Sequence, residues 1–148
     1  MAISNDKEFK SALAGLSPAQ QRQVAARFVQ AVFALSGDAR IKAALEAAGR
    51  AGISDAELAL AAQAANTARV ESFTQCGKET DWTAQAGHFV AKAAVACVRP
   101  AEAGSNLAWD AAMQARLART FQTVADGAGT DNREAEAQYR TLEAFLNS

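Results

Sequence analysis

The sequence predicts an all-α protein, a single compact bundle of six or seven helices with short loops that takes residues 1–148 as one helical domain. Three observations carry that expectation. Alanine, the best helix former, supplies 39 of the 148 residues. Apolar residues recur at helical spacing between Ser, Asp or Asn caps and glycine stops. No segment sustains the period-two alternation over β-branched residues that a strand requires. Half of the residues are hydrophobic and 21% are charged, the balance of a chain that folds around a core.

The elements follow in order. Asn5-Asp6-Lys7-Glu8 reads as a capping box ahead of Phe9 and Leu13, with Gly15 as the stop. Ser17-Pro18-Ala19-Gln20 is a stronger start, because serine caps, proline suits the first helical position and Gln20 reaches back. Val24, Phe28, Val32 and Leu35 then step along one face of a helix expected to run as far as Gly37. Asp38 caps a helix carrying Ile41 and Leu45 and closed by Gly49. Ser54-Asp55-Ala56-Glu57 opens the next, with Leu58, Ala61, Ala65 and Ala68 leading toward Phe73 and an end near Gly77. Asp81 or Thr80 caps a helix from Trp82 to about Val98, which Pro100 prevents from continuing. Asn106 caps another, in which Trp109, Met113, Leu117, Phe121 and Val124 form an i, i+4 stripe. Gly127 and Gly129 break it. Asp131-Asn132-Arg133-Glu134 opens the last helix, with Ala135, Tyr139, Leu142 and Leu146 on one face and a Glu136–Arg140 pair on the solvent side.

Charge and chemistry narrow the function classes. Net charge is −1, and bases neither cluster nor interleave with aromatics, so the expectation is no nucleic acid among the partners. No apolar run is long enough for a membrane span, and the first ten residues lack the apolar stretch of a secretion signal. With two cysteines and no such signal, a cytoplasmic location is expected. His88 is the only histidine, and no Cys-x-x-Cys or Glu-x-x-His pattern accompanies it, so no metal and no cofactor are expected. Cys97 follows it by nine positions, about 180° around the same helix, which aims the two apart rather than into a nucleophile–base pair. A Cys76–Cys97 bridge is also disfavoured: in an antiparallel pair of helices the two sit about 22 Å apart, against the roughly 7 Å a disulfide tolerates. The glycines at 49, 52, 127 and 129 punctuate helices and form no phosphate-binding loop. No catalytic constellation is therefore expected. Trp82, His88 and Trp109 are the residues chosen for a partner-binding surface, since tryptophan is enriched where interfaces concentrate their energy.

The middle of the chain, chiefly residues 38–98, resembles a family of small, alanine-rich, all-helical bacterial immunity proteins. The stretch begins at Asp38-Ala39-Arg40 and the helix Ile41 to Ala48. It continues through Ser54-Asp55-Ala56-Glu57 and Ala59 to Ala68, and peaks at Ala86-Gly87-His88-Phe89-Val90-Ala91-Lys92-Ala93. An echo lies in Glu134 to Leu146, where such proteins close with an aromatic-containing amphipathic helix. In that family the central helix often carries further histidines, at positions occupied here by Ala94 and Val98. The resemblance implies a non-enzymatic binding protein that neutralises a cognate bacterial toxin by occluding it. The alternative expectation is a homo-oligomeric helical protein with a structural or small-ligand regulatory role, marked by surplus exposed apolar residues on one face.

Overall fold

In the computed structural model, which describes residues 2–75 and 81–148, seven α-helices and one 3₁₀ turn follow one another in the expected order. They are α1 (Asp6–Ala14), α2 (Pro18–Gln30), α3 (Ala39–Gly49), α4 (Asp55–Gln75), α5 (Trp82–Val98), α6 (Leu107–Ala125) and α7 (Glu134–Leu146), with the 3₁₀ turn at Phe33–Leu35. No strand occurs among the described residues.

The local signals that start helices do so for the reasons the sequence suggests. Asn5 accepts from the Glu8 backbone N–H at 2.9 Å, although the Glu8 carboxylate reaches Ser4 instead of closing the box. Ser17 and Gln20 form a full reciprocal box, at 3.2 and 3.0 Å. Asp38, Asp81 and Asn106 cap α3, α5 and α6. At α7, the cap is looser than expected: Asn132, not Asp131, accepts from the Glu134 N–H, and Arg133 stands at the boundary with no side-chain bond. Thr80 and the expected stop at Gly77 lie outside the described residues.

α5 is the centre. It touches α2, α3, α4, α6 and the 3₁₀ turn, and buries residues on every side, from Ala86 and Val90 to Cys97 and Val98. A helix that is apolar all round is an interior helix. Its closest partner is α6, which presents Ala108, Ala111, Ala112, Ala115 and Ala118, all fully buried. The stripe of Trp109, Met113, Leu117, Phe121 and Val124 is not buried as a unit: Trp109 and Met113 pack against the edge of the core, Phe121 and Val124 are half-buried, and Leu117 is exposed. Short alanine side chains allow the two helix axes to approach, and the bulky residues are displaced to the flanks of that contact.

Three expectations are corrected. α2 does not continue as an α-helix to Leu35. It ends at Gln30 and tightens into the 3₁₀ turn, where Gly37 at φ +71° donates to the Phe33 carbonyl. The tighter path brings the Leu35 carbonyl against Gly87 of α5, where a Cβ would stand 3.3 Å from that oxygen. In α7 the inward residues are Glu134, Gln138 and Leu142, while Leu146 is exposed. Gln138 turns inward because both ends of its amide are used: it donates to the Ala112 carbonyl at 3.0 Å and accepts from Arg116 Nε at 2.8 Å. Glu136 and Arg140 form no ion pair; Glu134 pairs instead with Arg119 at 3.0 Å.

Arg116 also ties the chain's two outer helices. Its guanidinium forks onto Asp6 of α1 at 2.9 and 3.0 Å, and the Tyr139 hydroxyl of α7 donates to the same carboxylate at 2.6 Å. These bonds hold the Asp6 carboxyl below its usual range, the Arg116 hydrogen bond being the largest cause. Beneath them Phe9 is fully buried, in ring contact with Phe28, Tyr139 and Trp109.

Candidate aromatic docking face

α4 buries little. Among its described residues Ala65 and Ala68 are buried, and Phe73, toward which its apolar stripe was expected to lead, is 65% exposed. The side chain is not isolated. Its ring centroid lies 5.7 Å from the imidazole of His88, which in turn meets Phe89 edge-on at 5.8 Å. Phe89 stacks on Phe121 of α6 at 5.0 Å with planes 10° apart, and Phe121 stacks on Trp82 at 5.5 Å and 19°. A row of five rings thus crosses α4, α5 and α6. The two stacked pairs, Phe89–Phe121 and Phe121–Trp82, each contribute about 0.5–1.5 kcal/mol beyond their burial. Trp82 is 39% exposed at one end, and Leu117, one turn from Phe121 on α6, is 40% exposed beside it.

His88 is the hinge of this row and is 9% exposed. Its Nδ1 lies 2.9 Å from Ser72 Oγ, and that hydroxyl donates to the Arg69 carbonyl at 2.8 Å. Ser72 thus bridges the imidazole of α5 to the backbone of α4. Burial, reinforced by the Lys92 ammonium and the Arg69 guanidinium, pushes the His88 pKa below its ordinary value. Lys92 also stands 5.1 Å from the centre of the Phe89 ring.

The three residues chosen from the sequence do not converge. Trp82 and His88 share the row. Trp109 belongs to the Phe9 cluster, with Lys10 Nζ 5.0 Å over its ring. It sits twelve residues before Phe121, about 18 Å along α6. Phe73, Phe89 and Phe121 were missed as one group because helical spacing treats each helix alone and offers no reason to join three. The i, i+7 spacing of Trp82 and Phe89 on one helix face was the signal that could have found the row.

Cys97 is fully buried, and burial pushes its thiol up to about 12, which leaves it protonated and unreactive. Cys76 lies outside the described residues. A cavity of about 280 Å³ opens between the 3₁₀ turn, α3, α4 and α5, lined by Ser36, Asp38, Arg40, Glu71, Ser72 and Gly87 among others. Its charges are spent on one another, since Arg40 bonds Asp38 at 2.7 Å and Glu71 at 2.8 Å. The lining takes in Ser72 and Thr83 but neither His88 nor Asp81. Among the described residues no group of three or more His, Cys, Asp or Glu side chains could hold a metal ion, and no helix is long and apolar enough to cross a membrane. Compared with known proteins, the chain matches no family model, no curated sequence and no solved structure.

Proposed function

We propose that the protein acts by binding another protein, in the manner of an immunity protein that occludes a toxin, and that the aromatic row of α4, α5 and α6 is its contact surface. One observation carries the reading: Phe73 and Trp82 are exposed at the two ends of a continuous row of rings, and Leu117 is exposed one turn from Phe121 within it. Large rigid aromatics contribute contact area at low conformational cost, which is why they anchor interfaces. The buried, protonated thiol of Cys97 is no nucleophile, which favours binding over catalysis.

The test compares affinity capture by the wild-type protein and by a Phe73→Ala/Trp82→Ala variant from the source bacterium. A stoichiometric partner held by the wild type and lost by the folded variant is the expected result. The toxin element requires that this partner arrests growth when expressed alone and that co-expression relieves the arrest. Identical partner profiles for the two proteins would remove the aromatic face from the reading.

A second reading has its own observation. Leu60 and Val70 of α4 are exposed along with Phe73, a surplus of apolar residues on one helix that suits self-association. Static light scattering decides it: a mass of twice 15.5 kDa, reduced by Leu60→Glu, supports an oligomer, whereas a monomer at all concentrations excludes one.

A further inference from the structure

The aromatic face has a charge of its own. Arg69 projects from α4 four residues before Phe73, Lys92 from α5 three residues after Phe89, and both act on His88 between them. The guanidinium of Arg69 is held by Asn66 at 3.0 Å, a neutral partner. Among the described residues, neither cation forms an ion pair. Among the described residues, Glu71 bonds Arg40 and Asp81 accepts from the Ala84 N–H at the start of α5. Two cations that form no ion pair among the described residues therefore flank the aromatic row.

Resting on the binding reading above, we propose that this face receives an acidic amphipathic segment of the partner protein, with apolar side chains against Phe73, Trp82 and Leu117 and carboxylates against Arg69 and Lys92. Complementary charge at the rim of an apolar patch fixes register and excludes wrong partners.

The experiment is a selection from a random dodecapeptide display library on the wild-type protein, on Arg69→Glu/Lys92→Glu and on Phe73→Ala/Trp82→Ala, each checked for helicity by circular dichroism. All four positions are at least partly exposed, and Arg69→Gln/Lys92→Gln replaces the charge reversal if that variant unfolds. Wild type is expected to enrich peptides in which Asp or Glu flanks aromatic or aliphatic anchors. Charge reversal should weaken the best of them about tenfold and shift enrichment toward Lys and Arg. Loss of Phe73 and Trp82 should abolish enrichment. Peptides that need the two aromatics but show no acidic bias would overturn the acidic segment while leaving the binding face standing. Failure to select any peptide dependent on Phe73 and Trp82 overturns both. A wild-type dimer that dissociates in the Phe73→Ala/Trp82→Ala variant assigns the face to a second copy and overturns the proposal.

Discussion

Arg22 shows how much one residue can do out of sight. It is buried, and its Nη1 donates to the carbonyls of Cys97 at 3.0 Å and Arg99 at 2.7 Å, where α5 ends. A cation there satisfies orphan carbonyls and complements the negative end of the central helix. Replacement by Met keeps the apolar stem and strands those carbonyls, so Arg22→Met should cost about 1–3 kcal/mol, read as a lower urea midpoint with unchanged slope. His88 gives the second residue-scale prediction. Its folded pKa lies below 6.5, because of burial first and the Lys92 cation second, while the unfolded chain takes up the proton at about the ordinary value. The unfolded state thus binds more protons in that window, so the histidine's contribution is complete above about pH 6.5 and declines as pH falls below it. Thermal unfolding of wild type and His88→Asn between pH 7.5 and 5.5 should show the wild type losing stability on acidification and the variant losing less. Equal slopes would show that His88 titrates normally. Neither role was legible in the sequence. Arg22 meets carbonyls 75 and 77 positions away, and nothing in its neighbours' spacing names that partner.

At the scale of elements, the two glycines within helices separate local propensity from packing. Gly49 ends α3 with ordinary backbone angles and nothing within 4 Å of an added Cβ. Gly49→Ala should therefore stabilise, by about 0.5–1 kcal/mol, through helix propensity and a less free unfolded chain. Gly87 lies inside α5 against the Leu35 carbonyl, so Gly87→Val has backbone to displace and should destabilise by at least about 1 kcal/mol. Guanidinium denaturation of both variants checks the opposite signs. The contrast mirrors what sequence reading could reach. Caps and stops are short-range chemistry, and Ser17, Asp38, Asp81 and Asn106 all stand where local pattern puts them. Which face of α6 turns inward is a question of competition, because an alanine face and a bulky face lie side by side on that helix. Periodicity identifies both and chooses neither; close approach to α5 decides for alanine. The aromatic row was hidden for the same reason, since it exists only after that choice has placed Phe121 on the rim beside Phe89.

Over the whole molecule, burial is concentrated in α5 and its neighbours, whereas α1 and α7 are fastened to the outside. Sequence composition anticipated the all-helical bundle but not this division, which depends on one arginine in α6 meeting residues from both ends of the chain. Arg116 holds Asp6 and Gln138, Tyr139 closes on Asp6, and the Ile3 N–H donates to Glu143 at 2.9 Å. The first and last helices consequently share their fastenings, and neither can leave without loosening the other. In native-state hydrogen exchange, amides of α1 and α7 should report a common opening free energy, well below that of α5. Asp6→Asn should lower it in both helices together while α5 stays protected. Distinct values for the two helices would mean that each frays alone. If the values agree, the protein breathes as a stable interior with one detachable clasp, assembled from the two segments farthest apart in the chain.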